Sequence, residues 1–311
     1  ALSRLLYFTN GVTGILQYPS GEALSMRAAP TAGGLYPAEI YLAVRNCSVL
    51  EDGIYNFQAN DHSLVLVWEG NFWPEFQKYS LEHEAISEAN LLLITTAVFQ
   101  RSAWRYHERA YRRILLDTGH VLGNLIAYAP QEGFVPCPIG GFADNALNHL
   151  LLLEELKEAV LTVVALPQTP VELEAHLEET IHFQLDDSEE NQVHPLLIQL
   201  HRASSMTQAQ HPEIPSGPAA AETPESLEEK YRLKEAVSLT GDTLDWPNGI
   251  GQTILMRRST RAYTGEGFSK EALASLLEYA YPDPPLSPPA LFAPSVLETY
   301  VIVQNIIGLE E

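Results

Sequence analysis

The order of strand-like and helix-like segments along residues 1–166 constrains the fold of this chain more strongly than any other feature. Runs typical of strands occupy residues 39–44, 52–70, 91–98 and 161–166. Within 52–70 the alternating pattern turns at Asn60-Asp61, which predicts a hairpin. Helical spacing of apolar residues covers 1–17 (a short helix ended by Gly11), 104–129 and 146–159. Because strands and helices do not alternate strictly, the pattern favours an α+β sandwich over a doubly wound parallel sheet.

The longest predicted helix, within residues 104–129, has a recognisable apolar stripe. We expect this stripe to face the core, and it consists of Tyr111, Leu115, Leu122, Leu125 and Ala129. Gly119 and Gly123 lie one turn apart and would allow close contact with another helix. His120, beside them, is expected to be a packed, hydrogen-bonded histidine rather than a catalyst.

Composition excludes several classes of partner. The 311 residues include 40 acidic and 18 basic side chains, which give a net charge of -22, so a nucleic-acid partner or an anionic membrane is not expected.

The two cysteines, Cys47 and Cys137, fit neither a metal site nor a disulfide framework, which favours a reducing compartment. The printed residues contain no 18-residue apolar run and no secretory leader, so we expect a cytoplasmic protein.

A change in composition divides the chain. Residues 185–250 include the acidic run DDSEEN and the Pro/Ala-rich run HPEIPSGPAAAETPE, which predict a linker, with one helical pattern at 226–236. Residues 251–281 predict a helix, a turn and a second helix. We therefore expect a domain at 1–184, the linker at 185–250 and a further segment at 251–311.

An internal repeat relates the last segment to the first domain. ALSRLL (1–6) recurs as ALASLL (272–277), AAPT (28–31) as FAPS (292–295), and YLAVRNCSVLED (41–52) as YVIVQNIIGLEE (300–311). Three matched blocks in the same order predict a tandem duplication. The first copy would lack its opening segment, and 251–311 would be a partial second copy.

Four ordered motifs carry a family resemblance. They are RAAPTAGGLYPAEIYLAV (27–44), GIYNF (53–57), RSAWRYHERAYRRILLDTGHVLGNLIAYAPQEG (101–133) and GGFAD (140–144). Together they resemble SagB-type dehydrogenases, the FMN-dependent members of the nitroreductase superfamily, over residues 1–166 and the repeat at 251–311. The resemblance implies a nitroreductase-like α+β sandwich, with a mixed or antiparallel central sheet and helices around it. It also implies an FMN-dependent oxidoreductase.

The phosphate of FMN requires fixed donors in an acidic protein. The run RRSTR matches the basic opening of nitroreductase domains, and it supplies Arg257, Arg258, Ser259 and Arg261. The alternative is a solvated basic turn at a helix start.

Two glycine pairs are candidates for the flavin ring. Without Cβ atoms, the first pair lets the backbone approach a ring, in a loop whose expected flavin contacts are Arg27, Pro30, Thr31, Ala32, Gly33 and Gly34. A plain turn is the alternative. The resemblance places the second pair, Gly140 and Gly141, against the ring as well, and Asp144 would cap the following helix.

The expected catalytic residues are Tyr106 and Arg105. In the SagB-type family a lysine precedes this tyrosine, whereas this chain has arginine, which cannot act as a base. Arg105 would instead stabilise a Tyr106 phenolate or bind a substrate carboxylate. The alternative is a helix-start aromatic with an arginine that pairs with Glu108.

The superfamily shares each flavin across a dimer, so we expect a homodimer or, through the duplication, an intramolecular pseudo-dimer. The second copy lacks the Gly-Gly of the first, which predicts at most one intact site. The expected substrate is a small molecule or a modified peptide, with NAD(P)H as a possible donor. The alternative function is a catalytically degenerate flavin-binding or scaffold domain of a biosynthetic complex.

Overall fold

The structure is a computed structural model, and it describes residues 1–169, 195–206, 237–241, 246–280 and 299–309. The predicted helix at 226–236 and the repeat block FAPS lie outside these residues. The chain divides into two compact units. The first comprises residues 1–211 and 250–257, and the second comprises 212–249 and 258–311.

Helices and strands are numbered separately in chain order. The described helices are α1 (Leu2–Asn10), α2 (Trp73–Tyr79), α3 (Glu84–Glu88), α4 (Gln100–Tyr106), α5 (Ala110–Tyr128), α6 (Asp144–Leu150), α7 (Pro195–Ser204), α8 (Ile250–Met256) and α9 (Lys270–Ala280). The described strands are β1 (Val12–Gln17), β2 (Ala23–Arg27), β3 (Ala38–Val44), β4 (Gly53–Gln58), β5 (Ser63–Glu69), β6 (Leu91–Val98), β7 (Cys137–Ile139), β8 (Glu158–Ala165), β9 (Phe268–Ser269) and β10 (Ile306–Ile307).

A six-stranded sheet forms the centre of the first unit, in the order β5-β4-β3-β6-β8-β7. Each neighbouring pair in it is antiparallel. Strand β6 lies at the middle, where Leu93 pairs with Leu42 on one side and with Val164 on the other. The predicted strands at 39–44, 91–98 and 161–166 and the predicted hairpin at 52–70 are confirmed.

Helices cover both faces of this sheet. One core joins alternate residues of β3 and β6, such as Leu42 and Leu93, to α1 and to Val121 and Leu125 of α5. The opposite core joins the intervening residues, such as Leu92, to α2, α3 and α6. Successive side chains of a strand point to opposite faces of the sheet. Seven of the eight residues of β6 are buried, so this mostly apolar strand is covered on both faces. The expected α+β sandwich is therefore present.

Several predicted boundaries are wrong. Helix α1 ends at Gly11 as expected, but residues 12–17 form β1, which pairs with β2 in a separate two-stranded sheet. The predicted helix at 146–159 stops at Leu150, and residues 158–165 are already in β8. The helical segment 104–129 is interrupted at His107, whose φ of 49° breaks it into α4 and α5.

The buried face of α5 also differs from the predicted stripe. Leu115 is 45% exposed, whereas Asp117 and Thr118 are buried beside Ile114 and Val121. Gly119 and Gly123 have no atom of the described residues within 4 Å of an added Cβ. His120 is exposed rather than packed.

The second unit is described in short segments. Strands β9 and β10 pair in parallel, and α9 contains the block ALASLL, which corresponds to α1 in the predicted repeat. Residues 299–303 have no regular structure, although their counterparts in the first copy lie in β3. The tandem duplication therefore remains a prediction.

Candidate functional site

The loop between β2 and β3 is held by a carboxylate of α5. Thr31 Oγ1 donates a hydrogen bond to Asp117 Oδ2. The backbone N–H of Ala32 donates to both Asp117 oxygens, at 3.1 and 3.2 Å. Tyr36 N–H in turn donates to Thr31 Oγ1 at 3.1 Å, and Arg27 N–H donates to the Tyr36 hydroxyl at 3.1 Å. These bonds close the predicted flavin loop on itself and fix it to the helix.

Gly33 and Gly34 occupy backbone conformations that favour glycine. Their φ angles are 70° and 72°, in the left-handed region where a Cβ is strained. A Cβ on Gly33 would lie 2.6 Å from the Tyr106 hydroxyl oxygen and 3.6 Å from Cδ of Arg105. The predicted flavin loop and the two predicted catalytic residues therefore come together. The same contact also gives Gly33 a structural reason that does not require a ligand.

Arginines surround Tyr106. The Arg113 guanidinium lies 4.2 Å from the centroid of the Tyr106 ring, and that of Arg105 lies 5.9 Å away. Nε of Arg113 is buried and has no hydrogen-bond partner within the described part of the chain. Arg101, one turn before Arg105, forms an ion pair with Glu39 and donates to the Tyr36 carbonyl at 3.1 Å. Positive charge is thus concentrated beside the loop in an acidic protein.

Burial shifts the pKa values of two charged groups in this region. Desolvation raises the pKa of Asp117 above its usual range, although the hydrogen bonds from Thr31 and Ala32 oppose this shift. Desolvation also lowers the pKa of Arg27 below its ordinary value, against the attraction of Glu39. Arg27 further stacks over Tyr36, with its guanidinium 5.1 Å from the ring centroid. Both groups hold the loop.

The second glycine pair lies elsewhere, on the border of a cavity of about 330 Å³. Its lining residues are Tyr111, Leu115, Gly140, Gly141, Phe142, Asp144, Val160, Leu161, Leu200, His201, Ser204 and Met206. They come from α5, from the segment between β7 and α6, from the first residue of α6, from β8, and from α7 with the residues after it. A Cβ on Gly141 would lie 3.3 Å from the side-chain end of Leu81, so substitution there requires only a small adjustment.

A chain of polar groups joins α5 to α7 beside this cavity. Tyr111 Oη lies 3.0 Å from His201 Nδ1 and 3.0 Å from Ser204 Oγ. Since Ser204 Oγ donates to the His201 carbonyl at 2.9 Å, Tyr111 donates to Ser204 and Nδ1–H donates to Tyr111. Desolvation lowers the pKa of His201 to about 4, so the ring is neutral near pH 7. The network fixes Tyr111 at the cavity wall.

Asp144 connects the start of α6 to the end of α7. Its backbone N–H donates to the Met206 carbonyl at 3.0 Å, and its Oδ2 accepts from the Met206 N–H at 2.7 Å. Desolvation raises the pKa of Asp144 to about 7, although the Met206 bond opposes the shift. The predicted capping role is wrong, because Asp144 is the first residue of α6 and Ala143 occupies the N-cap position.

The run RRSTR follows a helix rather than starting one. Arg257 comes directly after α8, in the first unit, and its N–H donates to the Thr253 carbonyl at 2.9 Å. Arg258, Ser259 and Arg261 belong to the second unit and are exposed in a segment without regular structure. Cations after a helix C-terminus are favoured by the helix dipole, which gives the run one structural role.

Sequence reasoning missed two groups that organise the site. One is the Asp117 anchor with Arg113, and the other is the Tyr111–His201–Ser204 network. A single carboxylate four residues before Val121 on a buried helical face was an available signal for Asp117. Nothing in the sequence brings His201 near Tyr111.

The ranges that the structure describes lack two kinds of feature, a metal-binding cluster and a membrane-spanning helix. They contain no group of three or more His, Cys, Asp or Glu residues arranged to hold a metal ion. None of their helices is long and apolar enough to cross a membrane.

Comparisons with known proteins agree with the fold. The microcin B17-processing protein McbC of Escherichia coli is 24% identical over 146 residues, 44% of this chain and 52% of McbC. The candidate nitroreductase MJ1384 of Methanocaldococcus jannaschii is 29% identical over 154 residues, 50% of this chain and 74% of that protein.

A solved structure and a family model also match this chain. The structure, of a candidate nitroreductase from Anabaena variabilis, matches at a TM-score of 0.70 and 33% identity, over 90% of this chain and 56% of that chain. This chain therefore spans little more than half the length of that protein and of McbC. The family model, described as the Nitroreductase family, matches residues 9–166. The match covers half of the chain and includes the whole central sheet, so this protein belongs to the nitroreductase family.

Proposed function

We propose that this chain forms part of an FMN-dependent oxidoreductase of the SagB type, which acts on a small molecule or a modified peptide. The observation that supports this most strongly is the convergence of Tyr106 and Arg105 on Gly33. Two motifs that the resemblance assigns separately to substrate and flavin meet in one place. Membership of a family of oxidoreductases supports the same proposal.

The residues present suit a flavin in two respects. Arginines beside the Thr31–Gly34 loop offer charge-assisted donors for an anion, in a protein whose net charge is -22. Gly140 and Gly141 have no Cβ atoms, so a ring can approach the backbone beside them. Bound FMN would supply hydride transfer through its N5 atom.

Each protein group then has an assigned task. Arg27, Pro30, Thr31, Ala32, Gly33 and Gly34 would present backbone to the flavin on one side, and Gly140 and Gly141 would do so on another. Arg257, Arg258, Ser259 and Arg261 would hold the phosphate. The Tyr106 hydroxyl would donate to or accept from the substrate. Arg105, which cannot take up a proton, would bind a substrate carboxylate or another anionic group.

The cofactor itself provides the first test. The purified chain is expected to be yellow, to absorb at about 450 nm, and to bleach with NAD(P)H or dithionite. At most one FMN per chain is expected. A colourless protein that takes up no added FMN would instead support the scaffold function, and the proposal would fail.

Variants test the individual roles. Replacing Arg258 and Arg261 by Gln should weaken FMN binding by about tenfold or more, because charge-assisted hydrogen bonds are lost. Arg202→Gln, a basic residue of α7 outside the run, is the matched control and should leave FMN binding unchanged. Tyr106→Phe should lower turnover while FMN binding persists. Unchanged turnover in Tyr106→Phe would remove Tyr106 from the mechanism.

A further inference from the structure

The cavity beside Gly140 and Gly141 has walls of two kinds. Most of its surface is apolar, from Leu115, Leu161, Leu200, Phe142 and Met206. Two of these leucines, Leu115 and Leu200, are also 45% and 51% exposed, so the cavity opens to solvent along α5 and α7. A ligand that buries these side chains would gain the free energy of removing their apolar surface from water.

The polar groups of the wall are not equally available to a ligand. The hydroxyls of Tyr111 and Ser204 and Nδ1 of His201 already bond to one another. Two acceptors remain on this wall. One is Nε2 of His201, which has no hydrogen-bond partner among the described residues. The other is Asp144, because a carboxyl group has about four acceptor positions and the Met206 N–H occupies one of them. Burial raises the pKa of Asp144 to about 7, because its charged form is removed from water. A donor on a ligand would relieve that penalty.

Size sets a further limit on the ligand. A cavity of about 330 Å³ accommodates a one- or two-ring compound, whereas a folded peptide segment needs a longer groove. The apolar walls disfavour a charged ligand, since its desolvation would cost more than a neutral donor's.

We propose that this cavity binds a small, uncharged aromatic ring compound that carries one N–H donor, with the donor facing Asp144. The inference deepens the proposed function, because Gly140 and Gly141 border both this cavity and the expected flavin position. Only the role of the ligand as a substrate rests on the proposed function. Binding itself requires no flavin.

Indole and 1-methylindole are matched probes, because they differ mainly in the N–H group. Saturation-transfer NMR with the 311-residue chain should show indole binding with a Kd on the order of 1 mM, as expected for a ligand of this size. Binding of 1-methylindole should be about tenfold weaker, because it cannot donate to the carboxyl group. Equal binding of the two probes would overturn the proposal.

Three variants locate the site. Asp144→Asn keeps an oxygen to accept from the Met206 N–H but replaces the other carboxyl oxygen by an NH2 donor. The variant should therefore weaken indole binding about tenfold and leave the binding of 1-methylindole unchanged. Leu200→Trp should fill the cavity and abolish the binding of both probes. Leu116→Trp is the matched control on α5, since Leu116 is 66% exposed and does not line the cavity, and it should bind both probes normally. Indole binding unaffected by Leu200→Trp would overturn the proposal.

Flavin titration separates this inference from the proposed function. Indole binding to a protein that takes up no FMN supports the inference and contradicts the proposed function. Displacement of indole by one equivalent of FMN would assign the cavity to the flavin ring itself and overturn the inference. Signals of Leu115 and Leu200 that depend on protein concentration but not on indole would show that a second copy covers the cavity, which also overturns it.

Discussion

The two glycine pairs have the same sequence signature and different surroundings. Gly33 and Gly34 adopt left-handed backbone angles, and the space beside Gly33 is taken by the Tyr106 hydroxyl. Gly140 is exposed, and with Gly141 it borders a cavity of about 330 Å³. The first pair is explained by contacts within the protein, whereas the second lies next to space that a ligand can fill.

The difference shows what a missing side chain implies. A glycine in the left-handed region is required by its backbone, whether or not a ligand is nearby. The absence of the pair from the predicted second copy therefore does not by itself indicate the loss of a flavin. A glycine that lacks this backbone constraint and borders a cavity is the stronger indication of a ligand.

The largest expected effect is a difference in stability between two glycine-to-alanine variants, one in each pair. Gly33→Ala should lower the free energy of unfolding by about 2–4 kcal/mol, because it combines left-handed strain with overlap against Tyr106. Gly141→Ala should cost less than about 1 kcal/mol, since only the end of the Leu81 side chain must move. Denaturant unfolding measures both.

The Tyr106 overlap can be isolated with a second substitution. In a Tyr106→Phe background the cost of Gly33→Ala should fall by about 1 kcal/mol, because the hydroxyl oxygen is gone. Equal costs for Gly33→Ala and Gly141→Ala would contradict the comparison between the two pairs.

The next largest effect concerns the anchor of the first loop. Asp117→Ala removes the acceptor of Thr31 Oγ1 and of the Ala32 N–H, and should cost about 1–3 kcal/mol. The amides of Ala32 and Tyr36 should then exchange with solvent faster than those of β6, by hydrogen-exchange NMR. Asp117→Asn keeps one oxygen acceptor and serves as the milder control. Unchanged exchange at Ala32 would show that the loop does not depend on this helix.

The second region should respond to pH through two groups with opposite signs. Asp144 has a folded pKa of about 7 against an ordinary 3.8, so the native state binds more protons and stability falls as pH rises between about 4 and 7. His201 has a folded pKa of about 4 against 6.5, so stability falls as pH drops through that window. The two slopes, each at most about 1.4 kcal/mol per pH unit, largely cancel in the wild type.

Single variants reveal each slope. In His201→Gln the Asp144 contribution remains, so stability relative to wild type should decline as the pH is raised from about 4 to about 6.5. In Asp144→Asn the remaining His201 contribution should produce the reverse trend. Thermal unfolding across this pH range measures both, and parallel curves for the two variants would refute the assigned shifts.

The smallest expected effect concerns the network that links α5 to α7. Tyr111→Phe removes the hydroxyl between His201 and Ser204 and should cost about 1 kcal/mol of unfolding free energy. Because this network borders the second glycine pair, the variant should leave exchange at Ala32 in the first loop unaffected. Faster exchange at Ala32 would show that the two regions are coupled.

Local patterns were sufficient for the central strands. The run at 91–98 is mostly apolar on both faces, and the structure buries it between two helical layers. The hairpin at 52–70 likewise followed from its turn and its alternation. The predicted stripe of α5 was less reliable, because the apolar Leu115 is exposed and the charged Asp117 is buried. Spacing defines a helix, but it does not decide which face packs.

The sequence by itself determined the α+β class, the strands of the sheet and the motifs that relate the chain to the nitroreductase family. These depend on residue patterns within a few positions of one another. The tertiary structure alone decided that Tyr106 meets Gly33, that Asp117 holds Thr31, and that His201 and Asp144 flank a cavity. Those contacts join residues far apart in the chain, and they form only because the helices pack on the sheet at particular positions and thereby bury polar groups that must find partners.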